Sequence, residues 1–135
     1  LPKRIGLVFA TFHHAEMAIM REEAESVAKD LGLEIATVVS VPGAMELPLS
    51  AKLVLSRHEI DGLAVLGIIE RGETGHGFVM GHAVIGSLIS LQLELMKPIG
   101  VGILGPEIFP SQIPSRLHPH ARAAVEAVHH MLMVG

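Results

Sequence analysis

A chain of 135 residues and 14.4 kDa is the size of one domain, 1–135, with little room for a second hydrophobic core. Half of its residues are apolar and 18% are charged, which excludes a disordered chain. Ten basic against 14 acidic side chains give a formal charge of -4 with no Lys/Arg-rich run, so nucleic acid is not an expected partner, and the absence of cysteine closes disulfide, thiolate and Cys-nucleophile chemistry.

Arg4 to Ala10 is a short apolar, β-branched run of the kind buried in a parallel sheet. Ala15 to Leu31 carries apolar residues at Met17, Met20, Ala24, Val27 and Leu31, with Gly32 placed as a helix stop. Glu34 to Val41 is a second β-branched strand, broken by Pro42-Gly43, after which Pro48 opens a helix to about Arg57. Gly62 to Ile69 is an uninterrupted apolar strand, followed by a glycine-punctuated turn and a helix from about Gly77 to Met96. Ile99 to Leu104 makes a fourth strand, a proline-rich connection spans Gly105 to Pro119, and Pro119 starts a last helix to about Met133. Strands alternating with helices predict a three-layer α/β sandwich with a four-stranded parallel sheet and right-handed crossovers.

Gly77 to Leu93, a stretch without Asp, Glu, Lys or Arg, is interrupted by His82, Ser87, Ser90 and Gln92 and falls short of the roughly 20 apolar residues of a membrane span. The N-terminal residues run directly into a strand pattern without a signal-type apolar region, so a cytoplasmic protein with no membrane partner is expected. Low charge on so apolar a chain predicts surface buried against copies of itself, and Ala83, Gly86 and Ser90 would permit close packing there.

Ligands of such sheets bind beyond the carboxyl ends of the strands, so the loops at Thr11–His14, Pro42–Glu46, Glu70–Gly77 and Gly105–Arg116 carry the candidates. Arg71-Gly72-Glu73-Thr74-Gly75-His76-Gly77 opens a helix and offers free N–H groups, a hydroxyl and a positive dipole end to an anion; equally, its glycines could serve a tight turn alone. His76 is the best-placed general acid/base, against the alternative of a helix-terminal histidine bonded to a carbonyl. Glu46 either complements a helix start or accepts hydroxyl groups of a ligand. Pro110, Pro114, Arg116, His120 and Arg122 mark a loop whose cations face solvent or meet an anion brought by a ligand or a neighbouring chain. A dinucleotide cofactor is not expected, because Ala10 to His14, after the first strand, contains no glycine. Nine histidines, including His13-His14, His118-Pro119-His120 and His129-His130, show neither an HExxH pattern nor a clustered His and carboxylate set, so no metal is expected.

Val41-Pro42-Gly43-Ala44-Met45-Glu46-Leu47-Pro48, together with Leu66-Gly67-Ile68-Ile69-Glu70-Arg71-Gly72-Glu73-Thr74-Gly75-His76, resembles the lumazine synthase family. The similarity runs from about Ile5 to Met133, and Lys97-Pro98-Ile99 leading into Gly102-Ile103-Leu104-Gly105-Pro106 is similar to members of archaeal type. The resemblance implies a flavodoxin-like strand order and condensation of 5-amino-6-ribitylaminouracil with 3,4-dihydroxy-2-butanone 4-phosphate to 6,7-dimethyl-8-ribityllumazine, a riboflavin precursor, with no cofactor. It implies that Phe12 stacks on the pyrimidine, that backbone at Ile68 and Ile69 binds its edge, and that Ala44, Met45 and Glu46 hold the ribityl chain. Gly72, Glu73 and Thr74 would cradle phosphate, Arg116 of an adjacent subunit would neutralise it, and His76 would shuttle protons within a pentamer or a multiple of pentamers. Val101 stands where the family often has an aromatic covering the pyrimidine, and Phe78 replaces an acid common two positions after the histidine. Two rival readings share the scaffold: an archaeal-type riboflavin synthase, which takes two lumazines and no phosphate substrate, and a non-enzymatic flavin or lumazine carrier or shell protein.

Overall fold

The two most apolar runs become the inner strands of the sheet. In a computed structural model describing residues 1–134, β1 (Arg4–Ala10) and β3 (Gly62–Glu70) pair with each other, and β2 (Glu34–Val41) and β4 (Ile99–Ile108) take the edges. The order is β2-β1-β3-β4 with every pair parallel, the flavodoxin-like arrangement expected of this chain. Burial is continuous from Ile5 to Ala10 and from Gly62 to Ile69, as a parallel strand covered on both faces requires.

Strand alternation divides the core in two. Ile5, Leu7 and Phe9 of β1 with Ala64, Leu66 and Ile68 of β3 meet α1 (His14–Asp30) and α4 (Leu117–Val134) on one face. Val8 and Ala10 with Leu63, Val65 and Ile69 meet α2 (Leu47–Leu55) and α3 (His76–Leu95) on the other. α3 is long and apolar enough, by length and composition, to cross a membrane. Its stripe of Gly81, Val84, Leu88 and Leu91 is instead buried within the domain, while Phe78, Val79, Ile89 and Leu93 remain exposed on its other side.

Two of the boundaries that differ from the sequence reading bear on the loops around the sheet's carboxyl edge. β4 continues past Leu104 to Ile108 because its ladder with β3 resumes after a register shift, pairing Glu70 with Ile108; Pro106 is tolerated on an edge strand, where its missing N–H leaves no bond unmade. The last helix begins at Leu117, ahead of Pro119, which sits in the first turn where an N–H has no helical partner in any case. Between them the proline-rich connection folds as two 3₁₀ turns, Pro110–Gln112 and Pro114–Arg116.

α4 crosses β4 in direct backbone contact. A Cβ added to Gly100 would run into the carbonyl oxygen of Ala124, so only glycine lets the helix lie this close. Gly100→Ala should therefore cost about 2–3 kcal/mol, the usual size of an overpacking penalty, and lower Tm by about 10 °C for a domain of this length. Calorimetry reads the effect, and an unchanged Tm would mean that α4 lifts off the strand without loss.

Candidate active site

Parallel strands send their carboxyl ends to one edge of the sheet, and the loops after β1, β2 and β3 meet there in a cleft of about 350 Å³. Phe12 forms one wall. Hydrogen bonds from the N–H groups of Thr11 and Phe12 to the carbonyls of Val41 (2.8 Å) and Pro42 (3.1 Å) carry the β1–β2 ladder outward and set Phe12 at the rim. Its ring is 68% exposed and stands edge-to-face on the His13 ring at 4.9 Å, an aromatic surface open to a ligand. His13 itself takes left-handed backbone angles (φ 68°, ψ 58°), a conformation costing roughly 1–2 kcal/mol for a residue with a Cβ.

The second wall is the 3₁₀ turn Ala44–Glu46. Glu46 turns one carboxylate oxygen back to accept the Gly43 N–H at 2.8 Å, and that closes the turn while leaving the side chain at the cleft. The two roles considered for Glu46 are compatible, since one oxygen caps and the other has no partner among the described residues. Ala44 is buried beneath, and Met45 is exposed.

The floor is the end of β3. Ile68, Ile69 and Glu70 line the cleft, followed by Gly72, Thr74, His76, Gly77 and Met80. Among the described residues, the N–H groups of Gly72, Glu73, Thr74 and Gly75 have no acceptor within the chain, and the Thr74 hydroxyl receives the His76 N–H at 3.3 Å. Unpaired donors at the positive end of a twenty-residue helix make a seat for an anion. His76 opens that helix with its imidazole exposed and unbonded within the chain, free to reach a ligand. Phe78 lies edge-to-face on His82 at 4.4 Å and does not orient His76. Backbone contact fixes where the helix start lies. A Cβ on Gly77 would come within 2.9 Å of the Glu70 carbonyl oxygen, so the first turn of α3 is seated directly on the end of β3.

The cleft thus unites Phe12, Ala44, Met45, Glu46, Ile68, Ile69, Gly72, Thr74 and His76. Three expected residues lie outside it. Glu73 points to the opposite side of its loop, into a second concavity with Arg71 and Glu107. Val101 sits in mid-β4 opposite Val65, partly buried on the α2–α3 face. Arg116 ends a 3₁₀ turn, exposed, with Nη1 donating to the Gln112 carbonyl at 2.8 Å. Arg122 is committed elsewhere: it and His118 converge on Glu23 of α1 at 3.3 and 3.1 Å. Burial, and then the nearby Arg116 guanidinium, hold the His120 imidazole below the usual histidine range, so it stays neutral at neutral pH. Gly43, Glu70 and Gly77 line the cleft from within the loops the sequence marked, though none was singled out as a site residue, and Met80 lies beyond those loops. Glu70 had a visible signal, a lone carboxylate ending an otherwise apolar strand. Among the described residues, no three His, Asp or Glu side chains gather as metal ligands.

An exposed aromatic ring, a carboxylate turn, a run of unpaired N–H groups and an exposed imidazole meet at the carboxyl edge of a parallel sheet, the place where small molecules bind in three-layer α/β proteins. The chain belongs to the 6,7-dimethyl-8-ribityllumazine synthase family, whose model matches residues 2–134. It is similar to the 6,7-dimethyl-8-ribityllumazine synthase of Staphylothermus marinus, 37% identical over 96% of this chain and 86% of that protein. The enzymes of that name from Metallosphaera sedula (37% identical, 92% of this chain, 82% of that protein) and Picrophilus torridus (36%, 92% and 90%) are similar over nearly the same span.

Because Gly77 seats His76, Gly77→Ala should push the helix start off Glu70 and lower turnover by about 10 to 100-fold, the cost of misplacing a reacting group by about 1 Å. Steady-state kinetics beside a melting curve check it; full activity would mean that the position of His76 does not depend on that contact.

Proposed function

We propose that the protein condenses 5-amino-6-ribitylaminouracil with 3,4-dihydroxy-2-butanone 4-phosphate to 6,7-dimethyl-8-ribityllumazine, releasing phosphate and water, as a transferase of riboflavin biosynthesis. The observation that carries this reading is one cleft holding both the unpaired N–H groups of the Gly72–Thr74 loop and the free imidazole of His76, opposite an exposed Phe12 ring. Phe12 stacks on the pyrimidine and the Ile68–Ile69 backbone bonds its edge. Ala44, Met45 and Glu46 hold the ribityl chain, Glu46 through the carboxylate oxygen not used on Gly43. Gly72 and Thr74 hold the phosphate, with Glu73 contributing its N–H rather than its carboxylate.

His76 serves the proton transfers. The pyrimidine amine adds to the ketone carbonyl, and the carbinolamine hydroxyl needs a proton to leave as water. Elimination of phosphate needs a C–H proton removed and leaves an enol that returns to a ketone. Attack of the ribitylamino nitrogen on that carbonyl closes the ring with loss of a second water, which again needs a proton given to the leaving hydroxyl. An imidazole, with one ring nitrogen to accept a proton and the other to donate one, can alternately take and give these protons. The riboflavin synthase reading has no use for an anion seat, since its two lumazine substrates carry no phosphate.

The site is shared between copies in a ring, a pentamer or a multiple of pentamers. Support comes from Arg116 and Val101, which lie away from their own chain's cleft, and from Leu49, Leu53, Ile89 and Leu93, exposed apolar side chains on α2 and α3. Ala83, Gly86 and Ser90 line the groove beside them. Arg116 of a neighbour then neutralises the phosphate, and the neighbour's β4 at Val101 covers the pyrimidine.

With both substrates, lumazine fluorescence and free phosphate should rise in equal amounts, and His76→Ala should slow turnover by about 10 to 10,000-fold with binding largely retained. Tight lumazine binding without turnover would establish a carrier instead. Mixed rings of Arg116→Ala and Phe12→Asp chains should regain a fraction of activity, because some interfaces carry both intact halves. No recovery in rings shown by mass to be mixed would place the whole site in one chain.

A further inference from the structure

We infer that His13 and Glu70 form a positioning pair that sets the Phe12 ring for the aromatic substrate; the inference rests on Phe12 being the pyrimidine wall, as proposed above. Phe12 projects from a loop and is largely exposed, so the surrounding core does little to fix its ring. The aromatic ring that meets it is the His13 imidazole, edge-on at 4.9 Å with planes 79° apart. His13 is in turn held from the floor: its Nε2 is 3.2 Å from Glu70 Oε1, and that nitrogen is buried. The two atoms are 3.2 Å apart with no aligned hydrogen bond between them, so the contact acts through the imidazole dipole beside the carboxylate. The left-handed backbone at His13 is a second sign that the imidazole is held in place, since a residue with a Cβ stays in that region only where its surroundings insist.

The pair therefore runs from the end of β3 to the wall beyond β1, joining floor and wall of the cleft through one side-chain contact. Arg71, the cation next to Glu70 in sequence, is turned away, 3.4 Å from Glu107 and stacked over Phe109, so it does not compete for the Glu70 carboxylate. Neither His13 nor Glu70 moves a proton in this role. They act through Phe12, and their removal should be felt in recognition of the pyrimidine but not in that of the phosphate substrate, which sits on the Gly72–Thr74 loop.

Two variants test the pair: Glu70→Gln, which keeps shape and removes charge, and His13→Asn, which tolerates left-handed backbone. Each should raise KM for the pyrimidine about tenfold with kcat within about twofold and KM for the phosphate ketone unchanged, and the double variant should be no worse than either single one. In a Phe12→Ala background, Glu70→Gln should add less than about twofold, because the group it acts through is gone. Parallel changes in kcat and both KM values, a Glu70→Gln effect that survives loss of Phe12, or no effect of either variant would overturn the pair. If Phe12→Ala itself leaves the pyrimidine KM unchanged, the site reading falls and the pair with it; a Phe12→Ala effect without a pair effect removes the pair alone.

Discussion

β3 is buried from Gly62 to Ile69 and surfaces at a single residue, Glu70, and the cleft is assembled from what that residue meets. Its carbonyl oxygen receives the first turn of α3 at Gly77, where no side chain fits. Its carboxylate faces His13 at the head of α1. The next N–H, that of Arg71, bonds the Ile108 carbonyl at 2.8 Å and ties the loop to the end of β4. Three elements are thereby referenced to one strand end, and a strand with both faces packed is among the least movable parts of an α/β domain. Side chains mounted on such an end keep their mutual geometry without a dense web of bonds at the surface.

That rigidity matters because the proposed chemistry sits in an open loop. Residues 71–76 are all exposed, and four successive N–H groups from Gly72 to Gly75 have no acceptor among the described residues. In water such groups are solvated at little cost; an anion replaces the water and gains the helix dipole as well. α3 thus has two tasks, presenting a positive end to the cleft and packing Val84, Leu88 and Leu91 on the sheet. Its remaining apolar side chains, Ile89 and Leu93 among them, serve neither task; in the proposed ring they would be buried against another copy, the same association that would bring Arg116 to the cleft.

Most of the architecture was legible because burial writes itself into composition. Arg4–Ala10 and Gly62–Ile69 read as buried strands from their unbroken apolar runs, and α1 showed its period and its stop at Gly32. β4 was read too short because Gly105-Pro106 signals a turn, whereas the ladder to Ile108 depends on a register shift in β3 that has no local sequence mark. At the site, loop membership singled out Glu46 and His76 and the family resemblance singled out Phe12, but the direction of each side chain is set in three dimensions. Glu73 therefore fell on the far side of its loop. The His13–Glu70 contact joins residues far apart in sequence, and only the parallel pairing of β1 with β3 brings their ends together.

A crystal structure with 6,7-dimethyl-8-ribityllumazine and inorganic phosphate tests most directly the claim that this cleft is where lumazine forms. The expected result is the ring of the lumazine against Phe12 and the Ile68–Ile69 backbone, with phosphate on the N–H groups of Gly72–Thr74 and Arg116 of a neighbouring copy within reach of it. Lumazine seated in the groove between Pro48 and Glu94, or phosphate held by Arg116 far from the Gly72 loop, would contradict it.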